Sequence, residues 1–211
     1  MKRRFLFTTI LTILTCSIQA QDVYLDWAKG VGGISSDNGM SVAVDSQGNV
    51  YVAGTYWGTS DFDPGMDTFN LTSNGSYDAF LLKLNQFGEF IWARSWGGLI
   101  RDEARSISIS NQGNVYVTGI FEDTVDFDPG TGIFNLISNG DFDPFAIKLD
   151  ENGNFIWAKS WGGKNDDESY SIATDSVGNV YITGYYNDVL VDFDPGIGIF
   201  NLTINGTADI F

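Results

Sequence analysis

The chain has 211 residues, 43% hydrophobic and 15% aromatic, with 11 Lys and Arg against 27 Asp and Glu, a net charge of −16. The aromatic content excludes an acidic disordered chain, and the charge excludes a surface that neutralises phosphate backbones, so no nucleic acid is expected as a partner. With no histidine and one cysteine, Cys16, the chain has neither a Ser-His-Asp triad nor a Cys/His zinc site, and disulfides cannot staple it.

The first element is a leader. Lys2, Arg3 and Arg4 precede the uncharged run Phe5–Thr15, and Ser17-Ile18-Gln19-Ala20 ends in a small residue. This predicts a secretory signal peptide over residues 1–20 and a secreted or cell-surface protein. The apolar run is too short for a bilayer core of about 30 Å. No later segment has eighteen consecutive apolar residues, so no membrane insertion is expected after cleavage. Cys16 admits a lipoprotein reading, although Thr15 stands where a smaller residue is preferred.

A repeat of 65 residues follows. Trp27, Trp92 and Trp157 mark "DWAKGVGG", "IWARSWGG" and "IWAKSWGG"; Gly48, Gly113 and Gly178 mark "DSQGNVYVAG", "SNQGNVYVTG" and "DSVGNVYITG". Residues 21–36 hold an orphan outer strand, Tyr24–Ala28, and a connection. Repeat units then cover 37–101, 102–166 and 167–211, the third truncated where Ala208–Phe211 opens a third strand. One extra residue within Tyr185–Val191 suits a surface connection.

Each unit reads as four strands, in the first Ser41–Val44, Val50–Tyr56, Ala79–Leu84 and Phe90–Trp96. Gly, Asp and Asn between them supply hairpin turns. Phe80, Leu82 and Leu84 fall on one face of the third strand, Ala79 and Leu81 on the other. A sheet that is apolar on both faces is stacked on both faces. This predicts an all-β fold built from β-propeller blades of four antiparallel strands. Three repeats fall short of the four to eight blades usual in propellers, so the ring is expected to be incomplete, a fragment whose missing C-terminal blades complete it.

"DSQGNVYVAGTY", "DAFLLKLNQFGEFIWARSWGG" and the run Gly97, Gly98, Asp102, Ser106, Ile107, Ser108 resemble the SBBP β-propeller repeat, found in secreted and cell-surface bacterial proteins, many from Bacteroidetes. The resemblance covers nearly all of the chain after the leader. It implies a propeller, seven-bladed as that family is usually pictured, in an exported protein. No catalytic residues come with it.

Three sets of residues are candidates for chemistry. "DFDPG" occurs three times, placing Asp61 with Asp63, Asp126 with Asp128, and Asp192 with Asp194. Such pairs offer oxygens to calcium, which wants six to eight. The competing reading is a type II turn, Pro at i+1 and Gly at i+2, with Asp accepting backbone N–H groups and Phe62, Phe127 and Phe193 tucked onto the blade. Asp37, Asp102 and Asp167 follow each Gly-Gly pair, where they either face a ligand or tie down loop backbone. Trp96 and Trp161 either stack on sugars at a rim or fill the space between blades; Val31 at the matching position of the first copy favours packing.

A carboxylate pair serves glycoside hydrolysis, but the prominent acids recur in every repeat, whereas one active site depends on groups unique to one position. The expected function is therefore non-catalytic binding or scaffolding at the cell surface, toward an unknown protein or glycan ligand and without a cofactor. A carbohydrate-binding or carbohydrate-active propeller and a calcium-stabilised module are the alternatives.

Overall fold

In a computed structural model the structure describes residues 24–211, so the signal peptide expected over residues 1–20, with Cys16, lies outside the described residues. Every regular element described is a β-strand. A two-residue strand, β1 (Gly32–Gly33), precedes the first blade, formed by β2 (Asp37–Val44), β3 (Val50–Asp61), β4 (Asn70–Leu84) and β5 (Phe90–Trp96). They pair antiparallel in chain order, and β1 adds to the far end of β3.

The second blade repeats this with β6 (Glu103–Ile109), β7 (Val115–Phe121), β10 (Asp143–Leu149) and β11 (Phe155–Ser160). A separate ribbon of β8 (Thr124–Asp126) and β9 (Asn135–Ile137) joins β7 to β10. The third has β12 (Glu168–Thr174), β13 (Val180–Tyr186) and β16 (Asp209–Ile210), with a ribbon of β14 (Leu190–Asp192) and β15 (Asn201–Thr203). The fold is all-β and of propeller-blade type. The blades stack in chain order, and the described residues do not close a ring.

The second and third strands of the first blade run further than the sequence suggests, because the DFDPG segment is itself the tip of a ribbon that continues them. Thr59–Asp61 pairs with Asn70–Thr72 beyond a bulge at Gly58. Gly58 has φ 77°, and its match 65 residues on, Asp123, has φ 64°. Aspartate is among the few residues that tolerate this left-handed backbone. Gly58 and Asp123 each give their N–H to a serine hydroxyl, Ser73 and Ser138, at 2.9 Å.

Tyr24–Ala28 differs from expectation in the other direction. It forms no strand. Trp27 nevertheless bonds from its indole N–H to the Gln86 carbonyl at 3.0 Å and packs on the first blade, as Trp92 bonds to the Glu151 carbonyl on the second.

The stacking follows the two-faced apolar pattern. Ala79 and Leu81 join Tyr51, Ala53, Trp92 and Trp96 in a core shared with Val115, Val117, Phe121, Phe145 and Ile147 of the second blade. Phe80, Leu82 and Leu84 join a separate core with Tyr56 and Phe62, flanked by Trp27 and Val31. Hydroxyl bonds also cross the junctions: Thr55 Oγ1 to the Asp102 carbonyl at 3.1 Å, and Thr118 Oγ1 to Ser169 Oγ at 2.8 Å. At Gly119 a side chain would collide with the Glu103 carbonyl, so only glycine allows the first two strands to approach there.

Candidate functional site

The DFDPG carboxylates act on their own loop. Asp61 Oδ1 accepts the N–H groups of Asp63 and Phe69 at 3.0 and 2.9 Å, and Asp63 Oδ1 accepts that of Gly65 at 2.7 Å. Asp126 and Asp128 do the same toward Asp128, Phe134 and Gly130, as do Asp192 and Asp194 toward Asp194, Phe200 and Gly196. Phe62 and Phe127 are buried at the base of their ribbons, against Tyr56 and Phe121.

The turn is not type II. That geometry needs a positive φ at the glycine, which Gly65, Gly130 and Gly196 lack. The aspartate side chain closes the turn two residues on, in place of a backbone carbonyl. Among the described residues, no three acidic or cysteine side chains gather where they could hold a metal ion.

The aspartates after Gly-Gly are tied to backbone as well. Asp102 Oδ2 accepts the Gly98 N–H at 2.7 Å and its Oδ1 that of Glu122 at 3.3 Å. Asp167 takes Gly163 and Asn187, and Asp37 takes Gly33 and the Ser60 hydroxyl. Beside them lies a set that sequence reasoning missed. Asp78 and Asp143 are buried, each accepting one N–H on Oδ2, from Asn74 at 3.0 Å and Asn139 at 2.8 Å. Their Oδ1 atoms have no hydrogen-bond partner. Asp209 repeats the contact toward Asn205.

Each blade junction thus buries two carboxylates around a Gly-Gly pair. Burial pushes Asp78 up to about 6 and both Asp102 and Asp143 up to about 7; it also raises Asp167. The one signal in the sequence was spacing: Asp78 and Asp143 stand 65 residues apart, each just before an apolar strand. Trp96 and Trp161 are buried between blades, edge-on to Phe145 and Phe211 at 6.1 Å. They offer no stacking face to solvent.

Stacked antiparallel sheets, repeated ribbons and repeated buried braces define a β-propeller repeat protein. A sequence model of the SBBP β-propeller repeat family matches residues 26–63 and 156–188. An uncharacterized WD repeat-containing protein of Acanthamoeba polyphaga mimivirus is 26% identical over 215 residues, spanning 90% of this chain and 16% of that protein. The regulatory protein FlaEY of Caulobacter vibrioides is 30% identical over 96 residues, 46% of this chain and 10% of that protein. The chain spans less than a fifth of the length of these curated relatives.

Proposed function

We propose that the chain is a non-catalytic binding or scaffolding segment, exported by its leader to the cell surface, that presents loops on a rigid stack of blades. The observation that carries this is the repetition of the buried aspartates at the blade junctions, Asp78 with Asp143 and Asp102 with Asp167. Asp102 and Asp167 brace backbone in the same way at successive junctions, as a framework does and a single reaction centre does not. The units 37–101, 102–166 and 167–211 serve as interchangeable blades in this reading.

The outer faces of the stack support further blades of the same protein as partners. Val42 is 65% exposed, whereas its match in the second blade, Ile107, is 7% exposed against the first blade. Tyr181 is 58% exposed, whereas its match Tyr51 is fully covered. One face therefore presents the near side of a junction and the other the far side. The repeat names of the family and of the viral relative accord with a scaffold.

Labelling intact producing cells with a membrane-impermeant amine reagent tests the reading. The expected result is labelled protein lacking its leader; unlabelled protein confined to the cytoplasmic fraction would refute the surface role.

A further inference from the structure

The Asp45–Asn49 turn of the first blade and the Ser110–Asn114 turn of the second flank a crevice of about 450 Å³, within the usual range of small-molecule sites. Gln47 and Gln112 stand on the two turns, and Lys83 and Glu151 complete the wall. Lys83 is 8% exposed, gives one N–H to the Glu151 carbonyl at 3.0 Å, and sits 4.9 Å from the centroid of the Tyr51 ring. An ammonium has three donors, so two remain. Ser110 is 6% exposed and its hydroxyl has no partner.

This crevice breaks the repeat. Asp45 and Asp175 each close their own turn by accepting two backbone N–H groups and a side-chain amide. Ser110 replaces that aspartate and makes no such bond, so its turn is closed by backbone alone. The residue matching Gln47 and Gln112 in the third blade is Val177, and the crevice at the second junction is only about 240 Å³. Groups needed for stacking recur at both junctions. The paired glutamines do not.

We propose that the crevice between these two turns binds a neutral, hydroxyl-rich ligand, a saccharide, through the Gln47 and Gln112 amides and the spare donors of Lys83. Each amide offers a donor and an acceptor side by side, which matches neighbouring hydroxyls on a sugar ring. Two carboxylates, Asp45 and Glu151, against one ammonium disfavour an anion. Val44 and Ile109 are too little aliphatic wall for an apolar ligand. The inference rests on the binding-scaffold reading and names its ligand class.

The test is a titration of the isotope-labelled chain with the methyl glycosides of glucose, galactose, mannose and N-acetylglucosamine, followed by backbone amide NMR. At least one glycoside should shift Lys83, Gln112 and Gly113 saturably, with a dissociation constant of about 1 mM or tighter. Gln112→Val carries the third blade's residue and so suits the turn; it should weaken binding about tenfold. Gln47→Val serves as the second variant and should do the same. No saturable shift with any glycoside, shifts away from the crevice, or unchanged affinity in both variants would overturn the proposal. A failed titration leaves the surface-labelling result standing, so the two readings fail separately.

Discussion

The Ser41 hydroxyl accepts the Ile107 backbone N–H across the first blade junction at 3.3 Å, and Ser106 accepts that of Ile172 across the second at 3.2 Å. A bulge sits just before each serine, where β2 and β6 shift register against their neighbours. The bulge interrupts the ladder, and the partner blade uses the side chain that follows it. Ser106→Ala should lower stability by about 1 kcal/mol. Urea melting should show a lower midpoint at unchanged slope. Ser41→Ala acts at a different junction, so the double variant should show the sum of the two losses.

Stability should fall as pH rises from about 4 to 7. Asp78, Asp102 and Asp143 bind protons more tightly when folded than when unfolded, because burial disfavours their charge. The folded chain therefore holds more protons than the unfolded chain between 3.8 and about 7. In that window stability declines with pH, and above it the contribution is lost. Each tenfold difference in proton affinity is worth about 1.4 kcal/mol. Thermal melting across this range should show the decline, and Asp143→Asn, which cannot ionise, should flatten it.

Replacing Trp96 separates volume from chemistry. The ring fills the space beside Phe145, and its indole N–H is buried with no partner. Trp96→Ala should cost about 3–5 kcal/mol through the cavity it leaves. Trp96→Phe should cost much less, since it keeps most of the volume and removes an unsatisfied donor. Trp96→Val, the residue found at Val31, should fall between them in chemical melting.

The ribbon braces predict a difference between two substitutions at Asp126. Asn keeps an oxygen for the Asp128 and Phe134 N–H groups, whereas Ala leaves both without an acceptor. Asp126→Ala should cost about 1 kcal/mol and Asp126→Asn only a fraction of that. Melting with calcium and with a chelator should give the same transition, because the Oδ1 oxygens already serve the loop. A rise in melting temperature with calcium would instead restore the metal reading of these carboxylates.

Strand placement was readable because apolar residues on both sides of β4 can be buried only by neighbours on both sides. The ends of β3 and β4 were less readable: Thr59–Asp61 and Asn70–Thr72 pair through backbone while their side chains carry little apolar signal. Asp78 and Asp143 escaped notice for a related reason. A lone aspartate before a strand is ordinary in sequence, and its burial depends on the following Gly-Gly segment folding back over it. The DFDPG turn was placed correctly but given the wrong geometry, since proline and glycine announce a bend without saying whether backbone or side chain closes it.

The sequence by itself determined the period, the strand order within a blade and the need for stacking, because hydrophobic alternation and turn chemistry are local properties. Tertiary structure alone decided which carboxylates lose water and which turns meet across a junction. Desolvation and cavity shape arise between residues of different blades, such as Asp78 beside Gly97 and Gln47 across from Gln112, and no local pattern encodes those distances.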